Sequence, residues 1–383
     1  MTVPQIDTDY LAEQLRRLLA IPSPTGYTDT VVRTVSEELD RLGVPYSVTR
    51  RGAILALYRG RDIEGARAIV AHLDTLGATV KMIKETGRLE LVPIGTWSAR
   101  AAEYSRCTIF SDEGAFRGTI LPLKASGHTF NEEVDNQPVG WPHVEVRIDA
   151  DAYDRPSTEA LGIRIGDFVA IDPGAEFLEN GYIVSRHLDD KAGCAIMLAA
   201  LKAMAEARVR TPVDIHFIFT ITEEVGSGAS AVLLDNVVAM VSIDNGTTAP
   251  GQNSSEFGVT VAMADQGGPF DYHLTRKLIR LCDENGIRHQ RDVFRYYRSD
   301  SASALEGGAD VRTALITFGV DASHGYERIH IHALKSLAEL TVRYAASPVE
   351  ITRDSEELAG IESFTEQPTE PAPHSTDDPS LHD

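Results

Sequence analysis

The sequence is poor in cysteine and has no long apolar run, and each shortage excludes a class of protein. Its three cysteines, Cys107, Cys194 and Cys282, lie far apart and form no CxxC pair, which argues against a disulfide framework or a cysteine zinc site. No run approaches the roughly 18 apolar residues that a transmembrane helix needs, and the charged N-terminal segment does not resemble a signal peptide. We therefore expect a cytoplasmic protein, in keeping with a reducing compartment.

Basic residues are also in short supply. The 383 residues include 36 Lys and Arg against 57 Asp and Glu, a formal net charge of -21. Such a charge opposes non-specific binding to nucleic acid and to anionic membrane surfaces, so we expect neither as a partner. From Glu350 to Asp383 the chain has ten acidic residues, four prolines and one arginine. We predict that residues 349–383 form a disordered acidic tail.

What the sequence does contain is an alternation of apolar strands and helices. The first 75 residues predict two helices followed by three short strands. Further strands are predicted at 213–221, 237–243 and 314–318, and helices at 191–204, 274–282 and 333–345. This alternation is typical of an α/β sheet.

A segment of different character interrupts the alternation. Between residues 80 and 165 the helical periodicity disappears, and short β-type runs alternate with Gly and Pro. That pattern predicts a small all-β domain. The predicted organisation is therefore a discontinuous α/β domain, residues 1–79 and 166–348, with an inserted β domain at 80–165.

Potential ligands cluster at or just after the predicted strand ends, where α/β sheets place their ligands. His72 follows an apolar strand, and Asp74 lies on the same side if the chain stays extended. A carboxylate beside a metal-binding histidine fixes its tautomer. Taken alone, however, the pair is explained better as a buried histidine satisfied by a nearby carboxylate.

Carboxylates follow three further strands. Asp189 and Asp190 open a helix and Asp244 ends an apolar strand, so helix capping or a turn explains either place alone. Capping needs only one Asp, and the second, beside a histidine, indicates a cation. Glu223 and Glu224 lead into a Gly-rich turn with diverging side chains, so one can bind a metal while the other moves a proton.

Three histidines, His324, His330 and His332, precede the last predicted helix. An exposed polar loop explains this cluster about as well as a metal site does. Together with the carboxylates the signal is strong, because mixed histidine and carboxylate ligation suits zinc, cobalt or manganese. The candidates exceed what one ion needs, which suggests two metals about 3.5–4 Å apart that share a carboxylate.

Five motifs, in this order, resemble those of the tetrahedral aminopeptidases, a group of dinuclear metallo-exopeptidases that includes the glutamyl and deblocking aminopeptidases. They are His72-Leu-Asp-Thr-Leu-Gly, Leu188-Asp-Asp-Lys-Ala-Gly-Cys-Ala, Glu223-Glu-Val-Gly-Ser-Gly-Ala, Asp244 and Arg328-Ile-His330. The resemblance spans about residues 11–340. It implies a mixed central sheet flanked by helices with an inserted small all-β domain, and homo-oligomers built from dimers, often dodecamers.

The resemblance also implies a role for each candidate. Two divalent metals per subunit would share Asp189, the first held also by His72 and Asp244 and the second by Glu224 and His330, with His332 as the alternative last ligand. Glu223 would be the general base, and Asp74 would support His72. Candidate substrate-binding residues are Asp300, which resembles part of a family segment, Arg298, which could pair with a substrate carboxylate, and His324.

Two departures from the family pattern concern the substrate. Lys191 stands where the family usually has Arg, and Glu327-Arg-Ile-His-Ile-His stands where it commonly has Arg-Tyr-Ile-His-Ser-Pro. The segment from His324 to His330 looks like a bacterial branch linked to synthesis of the osmoprotectant N-acetylglutaminylglutamine amide. We expect a metallo-aminopeptidase acting on short peptides or a small peptide-like osmolyte. An N-acyl amino acid or dipeptide amidohydrolase and a non-catalytic metal-binding assembly subunit are the alternatives.

Overall fold

The computed structural model describes residues 4–351, 354, 360–362 and 364–370, with only the backbone described at 62–64. The helices are α1 (Thr8–Leu19), α2 (Asp29–Leu42), α3 (Ala99–Ala102), α4 (Gly127–Phe130), α5 (Glu133–Asn136), α6 (Arg155–Ala160), α7 (Leu188–Glu206), α8 (Tyr272–Asn285), α9 (Asp300–Glu306) and α10 (Ile331–Ala346). A short 3-10 helix covers Trp141–His143. Among these described helices, none is both long and apolar enough to cross a membrane.

The strands fall into two sets. The first half of the chain contains β1 (Tyr46–Val48), β2 (Ile54–Tyr58), β3 (Asp62–His72), β4 (Gly77–Ile83), β5 (Leu89–Ile94), β6 (Arg106–Ser111), β7 (Gly114–Pro122), β8 (Val144–Ile148) and β9 (Phe168–Ile171). The second half contains β10 (Glu176–Phe177), β11 (Tyr182–Ser185), β12 (Val213–Thr220), β13 (Val237–Thr248), β14 (Val259–Asp265), β15 (Gly268–Pro269), β16 (His289–Val293), β17 (Arg312–Asp321) and β18 (Glu327–His330).

The large sheet is mixed, with a parallel centre. Its strand order is β1-β2-β12-β3-β13-β17-β18-β11-β10, with β14 added against β17 and followed by β15 and β16. Within it, the four adjacent strands β12, β3, β13 and β17 run parallel to one another. Their carboxyl ends therefore meet at one edge, and the motifs that follow them are brought together there.

Helix α7 packs against the centre of this sheet and is buried along most of its length. Its alanine-rich sequence, 188–206, has no polar face, which is what a helix enclosed on all sides requires. The amphipathic helices α1 and α2 contribute only one face each, including Leu11, Leu15 and Val35. The predicted mixed α/β sheet flanked by helices is confirmed.

Six further strands form a closed barrel in the order β4-β5-β8-β7-β6-β9, so the predicted all-β module is a separate body. The barrel has its own core, which includes Val80, Leu91, Ile109, Ile120, Val146 and Val169. Its strands run from Gly77 to Ile171 and so extend beyond the predicted bounds of 80–165. The barrel extends to Ile171 because β9 closes it by pairing with both β4 and β6.

The first residues of the predicted acidic tail pack on the α/β domain. Ile351 is buried, Glu350 pairs with Arg280 at 2.7 Å, and Asp354 pairs with Arg312 at 2.6 Å. The described residues Glu350, Ile351 and Asp354 of the predicted tail thus contact the α/β domain. Residues 352–353, 355–359, 363 and 371–383 lie outside the described residues.

Candidate metal centre

The centre lies at the carboxyl edge of the parallel strands. His72 is the last residue of β3, Asp244 lies in the second half of β13, and Glu223 and Glu224 follow β12. Two groups of buried residues each offer ligand atoms that lie within 4.8 Å of one another. One group is His72, Asp190 and Asp244, and the other is His72, Asp189 and Glu224. The sheet thus brings together motifs that are up to 172 positions apart (Asp244 minus His72).

Asp189 lies between two histidines. Its Oδ1 is 3.1 Å from His72 Nε2, and its Oδ2 is 3.2 Å from His324 Nε2. The Asn245 side chain donates to Oδ2 at 2.7 Å. A carboxylate with one oxygen facing each histidine has the geometry that a bridging ligand requires.

Asp190 has a different environment from its neighbour, to which it is joined by a cis peptide bond. Its Oδ2 accepts the backbone N–H of His72 at 3.1 Å, and its Oδ1 accepts that of Gly193 at 3.1 Å. A Cβ at position 193 would lie 2.2 Å from Oδ1, so only glycine allows this approach. Both oxygens of Asp190 are therefore engaged in holding β3 against α7.

Asp74 orients the centre. The His72 Nδ1–H donates to the Asp74 carbonyl oxygen at 2.9 Å, since a carbonyl can only accept, and this leaves Nε2 facing Asp189. The Asp74 carboxylate accepts the backbone N–H groups of Glu223 at 3.2 Å and of Glu224 at 3.3 Å. It also accepts the Thr25 hydroxyl at 2.7 Å. Asp74 thus positions both the histidine and the glutamate pair.

The two glutamates face different histidines. Glu223 Oε2 is 3.7 Å from His72 Nε2, and Glu224 Oε2 is 3.7 Å from His324 Nε2. Glu224 Oε1 is buried and has no hydrogen-bond partner among the described residues. A buried carboxylate oxygen of this kind requires a cation or donor.

The segment that follows the barrel strand β5 contacts the centre. His324 donates its Nδ1–H to the carbonyl oxygen of Thr96 at 2.9 Å, and Thr96 follows the barrel strand β5. This bond turns Nε2 of His324 towards Asp189 and Glu224. The sequence indicated His324 as a candidate substrate contact, and in the structure its Nε2 lies beside Asp189 and Glu224.

His330 lies apart from this group. Its Nε2 is 3.1 Å from the carbonyl oxygen of Asn180, its Nδ1 accepts the backbone N–H of His332 at 3.2 Å, and its ring packs on Phe257. His332 is exposed at the first turn of α10. His324, and not His330, points towards the centre because of the turn before β18. In that turn Ala322 and His324 have φ of 59° and 62°.

Asp300 and Arg298, the other two candidates for substrate binding, lie in different surroundings. The Asp300 carboxylate accepts the Thr220 hydroxyl and, at 2.7 Å, the backbone N–H of Ala229, so it braces the loop after Glu224. A Cβ at Gly228 would lie 2.0 Å from Asp300 Oδ1, which explains the glycine there. Arg298 pairs with Glu306 at the surface at 2.6 Å.

Glu327 is a supporting residue that sequence reasoning missed. Its buried carboxylate accepts the backbone N–H of Asp189 at 3.2 Å and that of His324 at 3.0 Å, so it fixes two candidate ligands at once. Burial and the charge of Asp189 raise the pKa of Glu327 to about 8. Nothing in the motif Tyr-Glu-Arg distinguishes this glutamate from a surface residue.

Electrostatics supports a cation at this place. Burial and neighbouring carboxylates raise the pKa of Glu223 and Glu224 well above the usual range and that of Asp244 to about 8. For Asp189, burial is outweighed by hydrogen bonds from His324 and His72, which lower its pKa. The possible ligands here are buried carboxylates and imidazoles, and one carboxylate oxygen, Glu224 Oε1, has no partner among the described residues. Such a set of ligands fits divalent metal ions.

An α/β sheet whose strand ends carry such a set of ligands defines a class, the metal-dependent hydrolases with buried histidine and carboxylate ligands. Comparison with known families then identifies the group. The chain belongs to the M42 glutamyl aminopeptidase family, whose model matches residues 52–340.

Two relatives illustrate the family likeness. The chain is 35% identical over 338 residues to YhfE of Bacillus subtilis (strain 168), a provisionally named aminopeptidase. The aligned region covers 88% of this chain and 97% of that protein. It is 24% identical over 223 residues to the glutamyl aminopeptidase of Lactococcus lactis subsp. cremoris (strain MG1363), covering 56% and 60% of the two chains. The predicted metal-dependent aminopeptidase, a peptide-bond hydrolase, is confirmed.

Solved structures share the fold. The TET1 peptidase of Pyrococcus horikoshii, which assembles into a tetrahedron or an octahedral shell, superposes with a TM-score of 0.78 and 21% identity over 88% of this chain and 99% of its own. An aminopeptidase of the archaeon Desulfurococcus kamchatkensis superposes with a TM-score of 0.79 and 23% identity over 88% and 95%. The barrel and the sheet are thus both part of a known architecture.

Proposed function

We propose that the centre binds two divalent cations, zinc, cobalt or manganese, bridged by Asp189. The observation that carries the proposal is the position of this carboxylate, with Oδ1 3.1 Å from His72 and Oδ2 3.2 Å from His324. His72 and Asp244 complete the first set of ligands. Glu224 and His324, in place of His330, complete the second.

Bound cations supply Lewis-acid polarisation of the scissile carbonyl and of the attacking water. Glu223 then acts as the general base: it takes a proton from that water and later gives it to the leaving amine. Asp74 keeps Glu223 in place through the bond from its backbone N–H.

The proposed substrates are short peptides, cleaved at the N-terminal residue, or a small peptide-like molecule. We further propose that the chain assembles from dimers into a larger homo-oligomer, up to a dodecamer. Support comes from the fold, which it shares with a TET1 peptidase whose assemblies are a tetrahedron and an octahedral shell.

The decisive experiment is a substrate panel with the purified, metal-loaded protein. We expect hydrolysis of aminoacyl anilides and free dipeptides, loss of that hydrolysis with a chelator, and its return on adding zinc, cobalt or manganese. N-acyl dipeptides and N-acetylglutaminylglutamine amide belong in the same panel. Hydrolysis restricted to the N-acylated compounds would replace the aminopeptidase by an amidohydrolase, and no hydrolysis of any compound would reject the proposal.

A further inference from the structure

A cavity lies at the amino-terminal ends of β3, β12 and β13, at the edge of the sheet opposite the metal centre. Its walls come from these strands, from α8 and α10, and from residues 349–354, and they surround about 490 Å³ of space that is partly open to solvent. Arg67, which lines the cavity, and His72, at the centre, are five residues apart on β3, a separation of about 16 Å along a strand. The cavity is therefore distinct from the proposed catalytic site.

Two buried cations lie side by side at this cavity. Arg67 and Lys277 both line it, are 5% and 4% exposed, and donate to the same acceptor, the carbonyl oxygen of Pro348. Within the described part of the chain, neither of them has a carboxylate partner. Buried charges are normally paired with a charge of opposite sign. Two cations that share one neutral carbonyl therefore leave a place for an anion.

Lys277 is the cation that has hydrogen-bond donors to spare. Both Nη atoms of Arg67 already donate to backbone carbonyl oxygens of residues 344–348, at the end of α10. The ammonium group of Lys277 has three N–H donors, and among the described residues its acceptor is Pro348. Arg67 thus fixes the wall of the cavity, and Lys277 can donate to a ligand.

Tyr344 supplies a second available donor. It lines the same cavity and is 2% exposed, and its buried hydroxyl has no hydrogen-bond partner in the described structure. The guanidinium carbon of Arg67 lies 4.9 Å from the centre of the Tyr344 ring, so the tyrosine is adjacent to the cation pair. A buried tyrosine hydroxyl normally has a partner, and an oxygen atom of a ligand would supply it.

The remaining walls decide what kind of anion fits. Two carboxylates at the cavity, Glu350 and Asp354, are each paired with a different arginine, at 2.7 Å and 2.6 Å, and so do not serve Lys277. The other side chains of the walls are apolar: Val213, Val238, Ala239, Leu274, Val349 and Ile351. Such walls favour a ligand that carries its charge at one end and buries an apolar body.

We propose that this cavity binds a small carboxylic acid with an apolar body, whose carboxylate accepts hydrogen bonds from Lys277 and from the Tyr344 hydroxyl. The bound acid also holds the beginning of the acidic segment against the sheet, because Val349 and Ile351 form part of the wall. The site does not depend on the proposed hydrolytic function, since it shares no residue with the metal centre.

The experiment measures binding of isovalerate and of benzoate to the full-length protein by calorimetry. We expect one site with a Kd below about 1 mM for at least one of the two acids, and no binding of the corresponding uncharged amide. Tyr344→Phe should weaken binding about tenfold and Lys277→Met about 100-fold, because they remove one and several donors to a charged group. Lys202→Met is the matched control, since Lys202 lies on α7 and pairs with Asp7 at 3.2 Å, and it should bind as wild type does.

Carboxylates also bind metal ions, so the same titration is made after treatment with a chelator. Binding that disappears with the metals would place the acid at the metal centre and overturn the proposal. Failure of both acids to bind, equal binding of the amide, or unchanged binding in Tyr344→Phe would overturn it as well. Tyr344→Phe keeps the test decisive if Lys277→Met does not fold, because it removes an atom that has no partner in the ligand-free protein.

Discussion

The two ends of strand β3 both bury charge, and they differ in how that charge is satisfied. At the amino-terminal end, the buried guanidinium of Arg67 donates to the carbonyl oxygens of Tyr344 at 2.7 Å, Ser347 at 2.9 Å and Pro348 at 2.9 Å. At the carboxyl end, five residues later, His72 lies among carboxylates that repel one another.

This difference distinguishes a charged residue that serves the structure, Arg67, from the charged residues around His72 that serve the proposed function. Arg67 is surrounded by carbonyl acceptors at the end of α10, so its charge needs nothing from outside the chain. Near His72, one oxygen of a charged group, Glu224 Oε1, has no partner among the described residues. Buried polar groups without partners cost free energy of folding, and they persist where a ligand supplies the missing contact. The unsatisfied end is therefore the one at which we propose metal and substrate binding.

The largest expected effect concerns the general base. Glu223→Gln should keep both metals and the fold, while kcat falls by roughly 10²- to 10⁴-fold, because the proton acceptor is lost. Elemental analysis and turnover on the same sample measure the two quantities. Glu224→Gln is the matched variant and should lose metal first. If instead Glu223→Gln loses metal and Glu224→Gln keeps it, the two roles are exchanged.

The next effect tests which histidine is a ligand. His324→Ala should weaken binding of one of the two metals by at least about 100-fold, because a ligand is lost from a closed set. His330→Ala should keep both metals, since its ring contacts Asn180 and His332 instead. Metal titration of the metal-free proteins measures both affinities. Metal loss in His330→Ala with none in His324→Ala would contradict the structure's placement of the two rings.

The smallest effect concerns the satisfied end of β3. Arg67→Met should lower the free energy of unfolding by about 3 kcal/mol, because buried carbonyls lose a charged donor. Metal content and kcat of the folded protein should stay at wild-type values. Chemical denaturation and elemental analysis check the two statements. A variant that loses metal without losing stability would mean that the two ends of the strand are coupled.

Strand and helix periodicity was sufficient to predict the α/β sheet, the inserted β module and the strand ends at which ligands gather. His72, Asp189, Glu223, Glu224 and Asp244 were selected because apolar runs end in them. That pattern is local, since a buried strand is read from its own residues. The bounds of the barrel were predicted less well, because closure depends on pairing between β4 and β9, strands far apart in the chain.

The sequence by itself therefore determined the class of fold and indicated the five strand-end residues as candidates for the site, because these depend on local patterns of apolar and charged residues. Only the tertiary structure decided which histidine faces Asp189. Residues His324 and Ala322 adopt positive φ values that L residues rarely take, and the bond from His324 to Thr96 comes from a domain more than 200 residues away in sequence (228 positions). Neither a left-handed turn at non-glycine residues nor a contact between two domains leaves a signal in the local sequence, because both are stabilised by the surrounding fold.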